Sequence, residues 1–323
     1  MTARRAAPAL ALAAALALAA GFGPARAAPP DAKTVDLRPK WKKGDAARYE
    51  LTRTRQRDDG KAVRKVVTRT PVEVEVTAAD ADGSVLRWTQ GSTTFEDAKF
   101  DDDPSLRALN AVRKGLDVDL ELDATGLYAG VRNWKDIRAA GRKVQDAVLA
   151  QMAKNGTAKI TLDALRKETD AYFASKESVE AAFARQPALL VLPYGREYEV
   201  GKTVDYESEL PNVLAGVLGG DEPFPALGSY TLKSLDKDTA TLVFKQTADQ
   251  KELPKVLRGW FEAVAKKTGN PSPKDLPELE VEDVTEVRFD LAAGWVASVT
   301  HTRTVKDDAA TQIDTHALTR KTK

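Results

Sequence analysis

The chain contains no cysteine. That excludes disulfide stapling, thiol nucleophiles, thiolate metal centres and a lipid-modified cysteine at a processed N-terminus. Aromatic residues make up only 7% of the 323 residues, and there are two methionines and two histidines. The core must therefore rest mainly on valine, leucine and alanine. Neither sign of charge dominates, with 49 basic against 48 acidic residues. Past the N-terminal segment no stretch approaches the ~20 unbroken apolar residues of a membrane-spanning helix. There is no Gly-x-Ser-x-Gly elbow, no phosphate-binding glycine loop, and no serine with a histidine and an orienting acid. These absences favour a protein that is not an enzyme and implies no cofactor.

What is present begins with an address. Arg4 and Arg5 precede the apolar run "APALALAAALALAAGFG", and Ala25-Arg26-Ala27 forms a small-x-small cleavage signal. Residues 1–27 read as a signal peptide, with the mature protein starting near Ala28, soluble in the periplasm or secreted. Taking Arg4, Arg5 and Arg26 from the 49 basic residues leaves 46 against 48 acidic ones, a formal charge of −2. A balanced surface of this kind argues against nucleic acid, which requires a concentrated positive field.

Residues 28–40 are proline-rich and read as an extended lead-in. Residues 41–323 then read as one α+β domain. Val72, Val74 and Val76 alternate with Glu73 and Glu75, the period-two pattern of a half-buried strand. The turn "ADADGS" and the return strand "VLRWT" make residues 72–90 a hairpin. Leu116, Val118, Leu120 and Leu122 alternate with acids before a reversal at Asp123–Gly126.

The middle is helical. Trp134, Ile137, Gly141, Val144, Val148 and Met152 form one apolar stripe, and Leu162, Leu165, Thr169 and Phe173 a second, with Thr161 as N-cap. A short helix through Val179 and Phe183 should stop at Pro187, leaving "ALLVLP" as a buried strand or packed connection. A hairpin at 229–247 follows. Next comes a helix from Pro254 to Thr268, with proline in its first turn and Gly269 beyond its end. Two long strands close the pattern.

One feature repeats. "KKGDAARYEL" and "EVGKTVDYES" each place a glycine five residues before Tyr-Glu, at Gly44/Tyr49 and Gly201/Tyr206. Asp80, Asp82 and Trp88 have the spacing of Asp236, Asp238 and Phe244, and "LELDATGLYAGV" parallels "VRFDLAAGWVASV". Common turn chemistry supplies part of this likeness, but three features kept in order favour a pseudo-duplicated meander. Its halves are 41–133 and 194–305, with helical insertions 134–186 and 254–268. The fold expected is a curved, half-barrel-like antiparallel sheet whose concave face the helices cover.

"WKKGDAARYEL", "DADGSVLRW", "LDATGLYAGVRN" and "VGKTVDYE" resemble the recurring pieces of uncharacterised secreted bacterial domains. The layout is similar to lipoprotein-carrier and lipid-transfer half-barrels. That resemblance implies a curved sheet closed by helices around acyl chains, and it carries over no functional residue. It supports a binding or carrier module for an apolar small molecule, a lipid or a lipidated envelope partner, with no stable membrane insertion. An envelope interaction domain with a fully packed core is the alternative. A hydrolase using some pair among the 48 acids is the third reading. If a cavity exists, its lining should draw on Leu86, Trp88, Trp134, Trp260 and Trp295, although the tryptophans sit equally well in a core. His301 and His316, on polar strands, read as solvent-facing rather than metal-binding, and Asp101–Asp103 as a solvated acidic turn. No convergent polar cluster is visible.

Overall fold

The computed structural model describes residues 33–97, 114, 116–154, 156–171, 173–211, 223–269, 271–276 and 278–321. The signal-peptide reading and the acidic triplet 101–103 lie outside these.

The first half builds β1 (Thr34–Asp36), β2 (Ala46–Asp58), β3 (Val63–Asp80), β4 (Gly83–Gln90), β5 (Thr94–Phe95), β6 (Val118–Asp123) and β7 (Tyr128–Val131). Four helices follow: α1 (Trp134–Lys154), α2 (Lys159–Ala171), α3 (Lys176–Phe183) and α4 (Arg185–Val191). The chain continues as β8 (Glu197–Glu199), β9 (Thr203–Leu210), β10 (Phe224–Leu235), β11 (Thr239–Ala248), α5 (Leu253–Thr268), β12 (Glu280–Asp290), β13 (Trp295–Lys306) and β14 (Thr311–Arg320). β10 opens with Phe224 paired to Leu210.

Twelve of these strands form one curved, unclosed antiparallel sheet in an α+β architecture. Its path is β7-β6-β4-β3-β2-β14-β13-β12-β11-β10-β9, with β5 on the side of β3. Two meanders lie end to end, and β14 joins them by pairing with β13 and β2. The lead-in strand β1 pairs separately with β8.

The two glycine openings are built alike. Gly44 and Gly201 have φ of 92° and 76°, the left-handed region that a side chain disfavours, and each has open space where a Cβ would lie. The Gly44 N–H donates to Val76 O at 2.8 Å, and the Gly201 N–H to Leu232 O at 2.9 Å. Immediately after those acceptors β3 and β10 each carry a β-bulge, between Val76 and Ala78 and between Leu232 and Ser234. Asp80/Asp82 and Asp236/Asp238 then sit at the hairpin turns, and Trp88 and Phe244 both enter the core.

The alternating residues fill one main core. Tyr49, Leu51, Val74, Val76, Leu86, Trp88, Leu120, Leu242, Val287, Val299 and Leu318 are all buried, beneath Val179 of α3 and Leu190 and Val191 of α4. Tyr49 donates its hydroxyl to Val296 O at 3.0 Å, tying β2 to β13 across the core. A second, smaller core forms under α5, where Leu253 and Leu257 meet Leu210, Phe224, Leu279 and Val281. Gly269, at φ 74°, ends α5 as the sequence predicts, its N–H donating to Ala265 O.

Three helical expectations need correction. The short helix through Val179 ends at Phe183, before Pro187, but Pro187 does not end the helical region: it is the third residue of a further helix, α4. The first four N–H groups of a helix have no intrahelical acceptor, so a proline there removes no bond. "ALLVLP" is accordingly mostly helix, and helical structure runs past residue 186 to Val191. Thr161 is not an N-cap, since α2 begins at Lys159 and Ala158 O accepts from Thr161 N. The buried stripe of α1 runs Ile137, Gly141, Gln145, Leu149. Gln145 is turned inward because its amide donates to Thr169 Oγ1 at 2.6 Å and Arg166 O at 3.2 Å, docking α2.

The short edge strand β7 is protected by α3. Buried Glu180 accepts the Val131 N–H at 2.7 Å and has Lys176 Nζ at 3.6 Å. Glu180→Ala should destabilise by about 1–3 kcal/mol, the penalty of a buried donor left unpaired. Glu180→Gln should recover most of that loss in urea unfolding. Equal losses in both variants would mean the carboxylate charge, rather than the acceptor, is what matters.

A basic cavity on the inner face of the sheet

The inner face, on which α3 and α4 sit, changes character along the strands. Inter-strand register aligns Leu51, Leu318, Val299, Val287, Leu242 and Leu232 in one transverse row, all buried. Two residues further along each strand the same parity brings up Arg53, His316, His301, Thr285 and Phe244. The next row holds Arg55, Asp314, Arg303, Asp283 and Gln246, and beyond it Arg57 lies opposite Gln312 and Gln312 opposite Val305. Because strand side chains alternate, the arginines of β2 point the same way as Tyr49 and Leu51. The inner face is therefore packed at one end of the strands and polar at the other.

At the polar end lies a cavity of about 490 Å³. Arg53, Arg55 and Arg57 of β2, His301 and Arg303 of β13, and Asp314 and His316 of β14 form its floor. Arg185, the first residue of α4, reaches it from above, and Pro211, Leu279 and Val305 give it an apolar wall. Leu279 and Val305 belong to the core under α5, so that wall is continuous with apolar structure.

The polar groups are partly matched among themselves. Arg303 and Asp283, both buried, form a two-pronged pair, Nε to Oδ1 at 2.6 Å and Nη2 to Oδ2. Arg55 Nε donates to Asp314 Oδ1 at 2.6 Å, and Gln312 Nε2 to Asp314 Oδ2 at 2.7 Å. His301 Nδ1 lies 2.9 Å from Thr285 Oγ1, and its Nε2 is 3.8 Å from Asp283 Oδ2. The two imidazoles face each other with ring centres 6.1 Å apart.

The histidines are only 7% and 8% exposed, which corrects the solvent-facing expectation. Burial takes the His301 pKa down to about 4, opposed by Asp283 and assisted by the Arg185 and Arg303 cations. Burial, Arg53 and the neighbouring imidazole take His316 down to about 3. Both are neutral at pH 7. Burial and the cations Arg303 and Arg53 pull Arg185 down to about 10, which leaves it charged.

None of the five expected lining residues borders this cavity. Leu86 and Trp88 are completely buried in the main core, and Trp295 packs there 4.9 Å from Trp41. Trp134 is half-buried at the start of α1, with Lys135 Nζ 5.8 Å from its ring centre. Trp260 packs against the small core under α5, with which the wall residues Leu279 and Val305 are also associated. The expectation of no convergent polar cluster is overturned. Strand parity carried the missing signal, since "RYELTRTRQR" puts Arg53, Arg55 and Arg57 on the side of Tyr49 and Leu51.

No protein-family profile matches the chain, and no curated protein does. Among solved structures, one of lipid–protein interactions in lipovitellin superposes with a TM-score of 0.39 at 9% identity, covering 88% of this chain. The chain spans about a quarter of that structure's length, 26%. Among the described residues no helix is long and apolar enough to cross a membrane, and no cluster of His, Asp and Glu has the geometry to hold a metal ion.

Proposed function

We propose that the protein is a binding or carrier module that holds a small, partly apolar ligand on the inner face of its sheet. The observation that carries this reading is the open cavity of about 490 Å³ in an interior whose neighbouring row is fully packed. The volume falls within the ~300–1,000 Å³ of small-molecule sites. Its Leu279–Val305 wall suits an apolar portion, and the arginine floor suits a polar end. The described lining supplies cations and neutral imidazoles, which hold and orient a ligand, rather than a nucleophile beside a base. A carrier of an apolar ligand remains the reading, with the added requirement that one end of the ligand be polar.

The test is native mass spectrometry of gently purified protein, followed by titration with dodecanoate. One molecule per chain is expected. Ala310 lines the cavity from the turn between β13 and β14, where its own N–H bonds Asp307 Oδ1 at 2.7 Å. Ala310→Trp keeps that backbone contact and fills the space, so binding should weaken about tenfold or more with little change in unfolding midpoint. A folded protein that binds no amphiphile would overturn the carrier reading.

A further inference from the structure

Five arginines line the cavity, against Asp307 and Asp314 in the lining and Asp283 behind Arg303. Even with all three carboxylates counted, positive charge exceeds negative by two. Internal pairing does not spread that excess evenly. Arg303 is taken by Asp283 and Arg55 by Asp314. Among the described residues no carboxylate lies within ion-pair distance of Arg185 or Arg57. Both line the cavity, Arg185 as the first residue of α4 and Arg57 near the end of β2.

The imidazoles add a second, independent observation. His301 Nε2 and His316 Nδ1 are buried and have no hydrogen-bond partner among the described residues. Buried polar nitrogens are normally partnered, so each such atom calls for an explanation. His301 Nδ1 is met by Thr285 Oγ1 at 2.9 Å and its Nε2 has Asp283 Oδ2 at 3.8 Å, so the ring sits among the polar groups of the cavity floor with one nitrogen unpartnered among the described residues. Guanidinium forks and imidazole N–H groups are the donors that match the oxygens of an acid group. The same excess of positive charge disfavours a metal ion here, and about 490 Å³ is the size of a small-molecule site rather than of a nucleic-acid backbone.

We infer that the cavity selects ligands by an anionic oxyacid head group, a carboxylate or a phosphate, taken up by the two lining arginines without a carboxylate partner among the described residues, Arg185 and Arg57. The inference rests on the binding reading above and names the ligand class for the same cavity. An acyl chain would then run along Leu279 and Val305 toward the α5 core. Arg185 and Arg57 are the specificity-determining residues, because the other arginines of the pairs are already engaged.

The test compares four probes on the purified protein by isothermal titration: dodecanoate, dodecyl phosphate, dodecanol and inorganic phosphate. Both acidic amphiphiles should bind at least tenfold more tightly than dodecanol, and their affinity should fall with added salt. Arg57→Gln, on an exposed strand end, should remove most of that preference, read as the ratio of dodecanoate to dodecanol affinity. Arg185→Gln should do the same, and Arg185→Lys should restore part of it. Circular dichroism and unfolding midpoints establish that each variant is folded, and Arg57→Gln decides the matter if Arg185→Gln is not. Dodecanol binding as tightly as dodecanoate would overturn the anionic head group and leave the carrier reading standing. Inorganic phosphate binding with no amphiphile bound would do the reverse, keeping an anion site and ending the carrier. No binding of any probe overturns both.

Discussion

Asp283→Ala is expected to destabilise the protein by about 3–5 kcal/mol, the usual penalty for removing one partner of a buried ion pair. Arg303 and Asp283 are 6% and 5% exposed, and each prong of the guanidinium meets one carboxylate oxygen. Without Asp283 the Arg303 charge remains in a site already crowded by Arg53, Arg55 and Arg185. Its cross-strand neighbour Asp314 is engaged by Arg55 and Gln312. The measurement is the urea midpoint at constant slope. Replacing both partners together, Asp283→Leu with Arg303→Met, removes the unpaired charge as well as the attraction. That double variant should lie within about 2 kcal/mol of the wild type. A loss below about 1 kcal/mol for Asp283→Ala alone would mean that Arg303 is compensated by cavity water, so the pair is not a structural element of the floor.

Acidification should unfold the protein through the histidine pair. In the unfolded chain each imidazole has an ordinary pKa of 6.5, whereas in the folded protein burial and neighbouring cations hold His301 at about 4 and His316 at about 3. Between these values the unfolded chain binds protons that the folded protein refuses. The stability in question is therefore complete above pH 6.5 and is lost as pH falls from there toward 4. From the cited values the loss by pH 5 is about 2 kcal/mol for each histidine. The groups that face the pair are Asp283, Asp314, Arg53, Arg185 and Arg303, and the Thr285 hydroxyl bonds His301 directly. Urea midpoints at pH 7 and pH 5 give the slope. His316→Asn should flatten it by roughly half, whatever it does to stability at pH 7. An unchanged slope in that variant would assign the acid sensitivity to the carboxylate pairs instead.

Much of the architecture is local and was legible in the residues. The hairpin at β3–β4 follows from alternating valines and Asp-Gly turn chemistry, and the reversal between β6 and β7 from Asp123. That carboxylate accepts the N–H groups of Thr125, Gly126 and Leu127. Proline near the start and glycine past the end delimit α5. Both repeated openings require glycine because both have positive φ. These are short-range constraints of backbone geometry and hydrogen bonding, so they are written within a few adjacent residues.

Strand parity also puts Arg53, Arg55, Arg57, His301, Arg303, Asp314 and His316 on the inward side, a signal the reading of His301 and His316 as solvent-facing passed over, and it does not say what stands opposite an inward side. The run at Pro187 could be read as strand or helix, because a proline is equally at home in the first turn of a helix. Its folding as α4 brings Arg185 over the sheet. Pairing of β14 with β2, between residues more than 250 positions apart such as Leu318 and Leu51, sets His316 beside both Arg53 and His301. The sequence by itself determined the strands, their turns and which side chains share a face. Only the tertiary structure decided that the polar end of that face is an open basic cavity with α4 above it rather than a flat wet surface, because that depends on which distant segments come to lie beside it.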